Sequence, residues 1–390
     1  MKTIIVGGVA GGASAAARLR RLDEKAEIIL LERGAYISYA NCGLPYFIGG
    51  GITDRNKLTL QTPESFRSRF AADVRVRHEV TAIDAARKVV TVRDIAEGKD
   101  YEEAYDKLVL SPGAEPVRPP LSGIEDARVF TLRTIPDTYR IHEYLESARP
   151  KTAVVVGGGF IGLEMAENLV RAGVSVTVVE FADHVMGPLD YDTACEVHRY
   201  LRYKGVELLL GRAVKAFHPD KAVLGVELDN GDILKADMAL MSTGVRPDTA
   251  LARSAGLRTD TRGAILVDEH MRTSDENIYA VGDAVEVRHL VSGAPAYIPL
   301  AGPANKQGRI AADNICGLGS IYRGTQGSSI LKLFDLTVAS TGLNESAAKA
   351  AGLEYEKIHT YSPSHAAYYP GAASISMKTL FEKQTGRILG

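Results

Sequence analysis

Hydrophobic and polar residues fall in two blocks that repeat one plan. Thr3 to Val6 is a short run typical of a strand buried on both faces, followed by GGVAGG at 7 to 12. An alanine-rich stretch to Leu22 has helical spacing, and EIILLE closes the block at Glu32. Ala153 to Val156 begins the second block, with GGGFIG at 157 to 162, a helical stretch through Val170, and SVTVVE ending at Glu180. Each block reads as a βαβ unit with an acidic end.

Between the blocks, residues 79 to 94 alternate like a hairpin, and 105 to 120 form a strand running into a Pro-rich stretch that marks a domain crossing. Short strands follow the second block, with a turn at Asn230-Gly231. Residues 278 to 287 predict one more apolar strand closed by Gly282-Asp283, and residues 299 to 316 a helix. From about Gly324 the texture changes to short strands with a helix at Glu345 to Ala351. The last two strand-like runs flank Gln384-Thr385-Gly386 and need a sheet to join, so the sequence predicts a truncated C-terminal domain. The fold class expected is α/β, with two Rossmann-like dinucleotide-binding domains and a smaller α+β domain.

The 390 residues exceed one ordinary core and imply two or three domains. With 45% apolar and 24% charged residues the chain has a globular profile, and a net charge of −2 gives no electrostatic reason to expect nucleic acid or an anionic membrane as partner. Cys42, Cys195 and Cys316 are odd in number and widely spaced, which argues against a disulfide framework or a metal ribbon. No run approaches 18 apolar residues and the start lacks a signal-peptide pattern, so a cytoplasmic protein is expected.

In GGGFIG, Gly157 permits the tight turn, Gly159 lets a pyrophosphate approach the backbone, and Gly162 lets helix and strand pack closely. The helix start supplies amide donors, and Glu180 can accept from two ribose hydroxyls, which favours NAD over NADP. GGVAGG is a weaker fingerprint because Val9 stands where the middle glycine belongs; Glu32 strengthens it. Asp283 follows a buried strand and needs a partner, for which a ribityl hydroxyl or a simple turn would serve.

Cys42, in SYANCGLPYFIGG, has no second cysteine in Gly43 to Gly49. Gly-Leu-Pro after it can begin a helix, and a thiol at a helix start is expected to have a lowered pKa suited to attack on a disulfide. The competing reading is a buried structural cysteine, which is the one given to Cys195 and Cys316. Arg18 and Arg21, near Arg20 and Lys25, share a helical face; they are a phosphate clamp or, more commonly, solvated charge. His365 beside Tyr368 and Tyr369 is either a proton source for a leaving thiolate or a packed turn.

The order GGVAGG, SYANCGLPY, LSPGAEP, GGGFIG, STGVRP, YAVGDA and SHAAYYPG resembles the single-cysteine flavin-dependent pyridine nucleotide-disulfide oxidoreductases. The resemblance is strongest to coenzyme A-disulfide reductases, including rhodanese-fused relatives that reduce CoA persulfides and polysulfide. It implies FAD at Gly7, Gly12, Glu32, Arg33, Val80, Ser111, Gly113 and Asp283, with Ala301 against the flavin ring. NADH or NADPH falls to Gly157, Gly159, Phe160, Ile161, Gly162, Glu180 and Gly244, Phe160 gating the nicotinamide. CoA falls to Ser14, Arg18, Arg21, Ser38, Asn41 and Asn305, which turns the reading of the arginines toward a clamp. Cys42 becomes the redox sulfur, forming a mixed disulfide with CoA, and Tyr368 or Tyr369 the proton source across a homodimer interface.

Residues 1–115 and 246–322 would then form the FAD domain, 116–245 the NAD(P) domain, and 323–390 an incomplete dimerisation domain. Ala10 stands where peroxide- and oxygen-reducing relatives carry histidine, so an NADH oxidase or peroxidase cycling through sulfenic acid is the lesser alternative. Family members also carry further chain with a second tyrosine and a lysine, and some a rhodanese domain; neither segment is in this sequence.

Overall fold

The computed structural model describes all 390 residues. Two five-stranded parallel sheets carry the two blocks. The first runs Ile278–Ala280, Lys107–Leu110, Lys2–Val6, Glu27–Glu32, Asp73–Val76, and the second Glu207–Leu210, Ser175–Glu180, Thr152–Val156, Met238–Met241, Val129–Thr131. Near-continuous apolar runs belong in such sheets because both faces are covered: in the second, Ala153 and Val155 pack on helices while Val154 and Val156 pack on a smaller antiparallel sheet. Ile4, Ile5, Leu30 and Val109 are fully buried, and a Leu or Ile truncated to Ala at such a site costs about 2–5 kcal/mol.

Each sheet has an antiparallel three-stranded companion. His78–Asp84, Val89–Asp94 and Lys99–Ala104 serve the first unit, and Val214–Pro219, Leu224–Leu228 and Ile233–Ala236 the second. The chain leaves the first unit along Ala114–Pro116 and returns along Val245–Pro247, and these two crossing strands pair antiparallel. After the return it adds Ile278–Ala280 to the first sheet and lays helix Ala301–Ile315 across helix Ala10–Leu22. A Cβ on Gly308 would lie 2.3 Å from Gly11 O, so glycine at 308 permits that close crossing.

The apolar run at 278–287 is a strand for only three residues before Gly282–Ala284 turns as a 3-10 helix. The C-terminal part consists of a hairpin of Ser329–Leu333 and Leu336–Ser340, helix Glu345–Ala350, and a hairpin arm of Tyr355–Pro363 and Ser374–Glu382. That arm stays two-stranded, with Phe381 bridging to Ile388 beyond the turn. No helix is long and apolar enough to cross a membrane.

Candidate functional site

Both glycine loops close in the same way. Gly7 and Gly157 take φ of +94° and +106°, and a Cβ on either would strike a carbonyl, Ser111 O at 2.1 Å or Ser242 O at 2.5 Å. A Cβ on Gly12 would lie 1.9 Å from Gly7 O, and one on Gly162 2.0 Å from Gly157 O. Each glycine thus holds its helix against its own loop. Nothing lies within 4 Å of a Cβ built on Gly159, so the second loop leaves its backbone open to approach.

Helices Ala10–Leu22, Phe160–Arg171 and Ala301–Ile315 all begin without a side-chain cap, so amide donors face outward at three helix starts. Glu32 accepts from Gly8 N at 2.9 Å and Gly34 N at 2.7 Å; Glu180 accepts from Gly158 N at 2.6 Å and Ala182 N at 2.8 Å. Each carboxylate braces its loop and keeps lone pairs for a ribose.

Asp283 accepts no hydrogen bond, and its nearest cation is Arg133 at 3.9 Å. Burial pushes its pKa up against the pull of Arg133. The hydroxyl of Tyr297 is buried without a partner, and burial, with Asp283 adding to it, pushes its pKa up as well. Gly113 meets Arg133, where a Cβ would lie 2.6 Å from Nη2, and Ser111 Oγ faces Gly11 and Gly282. Uncapped amides, orphaned buried polar atoms and open glycine backbone fit a ligand of phosphates and hydroxyls such as a dinucleotide.

The remaining sequence candidates divide. Ala301 is exposed at its helix start, Val80 is buried in its strand, and Gly244 stands open in the loop after Met238–Met241. Phe160 and Ile161 open the second loop's helix, both half-buried. Arg33 pairs with Asp248 at 2.8 Å.

Ser14 Oγ donates to Asn305 Oδ1 at 2.6 Å across the crossing helices, and Arg18 pairs with Asp313 at 2.7 Å. Arg21 lies over the Phe70 ring at 5.9 Å. Arg20, grouped with them in sequence, instead donates to five backbone carbonyls and is a structural clasp. Ser38 has φ of +46°, a strained value for a non-glycine residue, and Asn41 Oδ1 is buried without a partner. Tyr368 and Tyr369 sit at the tip of the hairpin arm, 85% and 62% exposed, and their ring contacts are with each other and His365.

Cys42 lies in a 3-10 turn, Asn41–Gly43, ahead of helix Leu44–Ile48. The lowered pKa expected from a helix start is corrected here. Burial in a crowded hollow, although the residue is open by surface area, and then the Glu164 carboxylate push its thiol up, outweighing one backbone amide. A five-residue helix offers little dipole to oppose them. Sequence reasoning missed Glu164, along with Arg133 and Tyr297. The signal for Glu164 was polar residues recurring through the buried run FIGLEMAENL.

A family model described as pyridine nucleotide-disulphide oxidoreductase matches residues 1–308, and that family's dimerisation domain matches residues 328–390. The chain belongs to the pyridine nucleotide-disulphide oxidoreductases. This oxidoreductase is 35% identical over 388 residues to an NAD(P)H sulfur oxidoreductase (CoA-dependent) of Pyrococcus abyssi, covering 99% of this chain and 85% of that one. It is 33% identical over 389 residues to coenzyme A disulfide reductase of Staphylococcus aureus, covering 100% and 87%. Its structure is similar to that of reduced Bacillus anthracis CoADR-RHD, with a TM-score of 0.97 at 50% identity, covering 100% of this chain and 70% of that one.

Proposed function

We propose that this oxidoreductase uses NAD(P)H to reduce a disulfide or persulfide of coenzyme A, or polysulfide, through a mixed disulfide at Cys42. The observation that carries the reading is where Cys42 stands. It belongs to the first nucleotide unit, but its helix packs on the helix that begins at the second unit's glycine loop, with Gly49 lying against Asn168. Neither Cys195 nor Cys316 shares its segment, and all three cysteines are free. The second sulfur therefore arrives with the substrate.

FAD would be held by Gly7, Gly12, Glu32, Arg33, Val80, Ser111, Gly113, Asp283 and Ala301, and the nicotinamide nucleotide by Gly157, Gly159, Phe160, Ile161, Gly162, Glu180 and Gly244. When bound, the flavin supplies two-electron chemistry between a nicotinamide hydride and sulfur. The chain's own part is sulfur chemistry. The Cys42 thiolate attacks one sulfur of the disulfide, a Cys42–S bond forms, and the other half leaves as thiolate and takes a proton. Two electrons then break the mixed disulfide, so one hydride equivalent and one proton yield two thiols per disulfide.

Asn41, with its orphaned buried oxygen, and Ser38 would meet the substrate near the sulfur, and Ser14, Arg18, Arg21 and Asn305, drawn from the crossing helices, would hold the phosphates of a phosphorylated carrier. Arg18 would exchange Asp313 for that ligand. Tyr368 or Tyr369 would protonate the departing thiol from the partner copy, since within one chain no hydrogen bond joins their tip to the Cys42 segment. The paired crossing strands support division into segments 1–115 with 246–322, 116–245, and 323–390. Free cysteines suit work in the reducing cytoplasm.

Replacing Cys42→Ser tests the reading. Reduction of CoA disulfide should be abolished while the flavin is still bleached by NADH under anaerobic conditions. Retained disulfide turnover refutes it, and peroxide turnover matching that of CoA disulfide in the parent enzyme would favour a sulfenic-acid cycle instead.

A further inference from the structure

Helix Phe160–Arg171 turns polar side chains into the protein at Glu164, Glu167 and Asn168. Asn168 explains itself: its Nδ2 donates to Glu164 O at 2.7 Å, and a Cβ on Gly49 would lie 2.3 Å from its Oδ1, so it seats the end of the Cys42 helix. Glu167 is fully buried, with Arg171 Nη2 2.8 Å from its Oε1. Glu164 has no such partner. It stands one turn after Phe160 and one turn before Asn168, on the face that meets the Cys42 helix, and its carboxylate makes no ion pair.

We propose that Glu164 is a positioning residue for the sulfur chemistry: its carboxyl group, reaching the Cys42 hollow from the second unit, keeps Cys42 a thiol when ionised and releases it when neutral. The proposal rests on the reading of Cys42 as the redox sulfur and adds a group that controls it.

Two titrations face each other across the hollow. Burial first, and Glu167 second, push Glu164 up to about 7, so both of its forms exist near neutrality. Burial and then Glu164 raise Cys42, and burial, Glu164 and Glu167 raise Tyr46 to about 12. The groups facing Glu164 are Glu167 and Arg171 on its own helix and Cys42 and Tyr46 across from it. On the strands packed against that helix, Glu180 is turned to the Gly158 and Ala182 amides and Lys332 is exposed. A negative charge at Glu164 opposes one at Cys42, so the two ionise as a coupled pair. Drying the hollow disfavours both charges, so what favours the thiolate is loss of the Glu164 charge itself.

The test measures the alkylation rate of Cys42 by iodoacetamide in the flavin-loaded dimer, read by mass spectrometry of the Cys42 peptide across the neutral and alkaline range. In Glu164→Gln the midpoint should fall by about one pH unit, with alkylation at neutral pH up to about ten-fold faster. Glu164→Asp, which keeps a carboxylate at the hollow, should stay near the parent profile. An unmoved midpoint in the glutamine variant, or equal shifts in both, overturns the proposal. If the glutamine variant loses its flavin band, the aspartate variant decides, and a freely alkylated thiol there is the overturning result. Alkylation does not depend on turnover, so failure here is distinct from retained disulfide turnover in Cys42→Ser.

Discussion

Replacing Lys378→Met should loosen the C-terminal part from the second nucleotide unit. The side chain of Lys378 is 5% exposed, and its ammonium lies 2.9 Å from Asp190 and 2.9 Å from Asp192 and is bonded also to Glu345. Asp190 and Asp192 lie at the start of helix Tyr191–Tyr203, while Lys378 is on the hairpin arm, so one cation ties the two parts together. Three carboxylates that converge closely enough to suggest a metal site are thus filled by a lysine. Methionine keeps the length and removes the charge, leaving mutually repelling carboxylates.

Breaking a buried ion pair by deleting one partner costs about 3–5 kcal/mol; the low end, about 3 kcal/mol, applies because Asp192 is 42% exposed. That is about two orders of magnitude in the opening equilibrium. Hydrogen exchange of peptides from 355–363 and 374–382 reads it, with peptides from the first sheet as the internal control. The pH dependence has a defined sign. Burial pulls Glu345 upward, but Lys357, Lys378 and Tyr355 pull it further down, from 4.5 to about 2. A lowered carboxyl contributes stability above its unfolded value and loses it as pH falls toward the folded one. The gap between parent and variant should therefore close as pH drops from about 4.5 to about 2. Unchanged arm protection in Lys378→Met at neutral pH refutes the reasoning.

Two other substitutions probe the loops. Gly12→Ala places a methyl 1.9 Å from Gly7 O, so the first loop must open; the variant should purify without its flavin absorbance although helix content is retained, and a fully yellow protein would contradict this. Glu180→Ala removes a ribose acceptor and one brace of Gly158, so KM for NADH should rise by about ten-fold or more while KM for NADPH changes little. Equal effects on both nucleotides would show that the brace alone matters.

Most of the fold was legible because its elements obey local rules. Strands buried on both faces appear as apolar runs, and the glycine loops must be glycine where a Cβ would meet a carbonyl at 1.9 to 2.5 Å. The strand expected in the 278–287 segment closes where its glycine stands: Gly282, at φ of +81°, turns the chain after Ile278–Ala280. What stayed hidden was what depends on partners distant in sequence. Arg18 and Arg21 share a helical face, yet only the fold shows Arg18 held by Asp313, nearly three hundred residues away. The Cys42 segment likewise suggested a helix start that acidifies the thiol, while the fold shows that burial, and then a carboxylate from Glu164 in the other unit, push it the other way.

A raised thiol pKa is at first sight wrong for a nucleophile. Thiol–disulfide exchange, however, depends on intrinsic nucleophilicity as well as thiolate fraction, and nucleophilicity falls as pKa falls. The leaving group matters in the opposite sense: when a mixed disulfide breaks, the sulfur with the lower pKa departs faster. Burial and Glu164 make Cys42 the poorer leaving group beside a solvated carrier thiol, so an electron pair reaching the mixed disulfide at Cys42 expels the carrier. A cysteine with a second cysteine beside it could divide attack and departure between two sulfurs. With one sulfur, the hollow must bias departure, and a carboxyl poised near neutrality and reaching in from the other nucleotide unit supplies that bias.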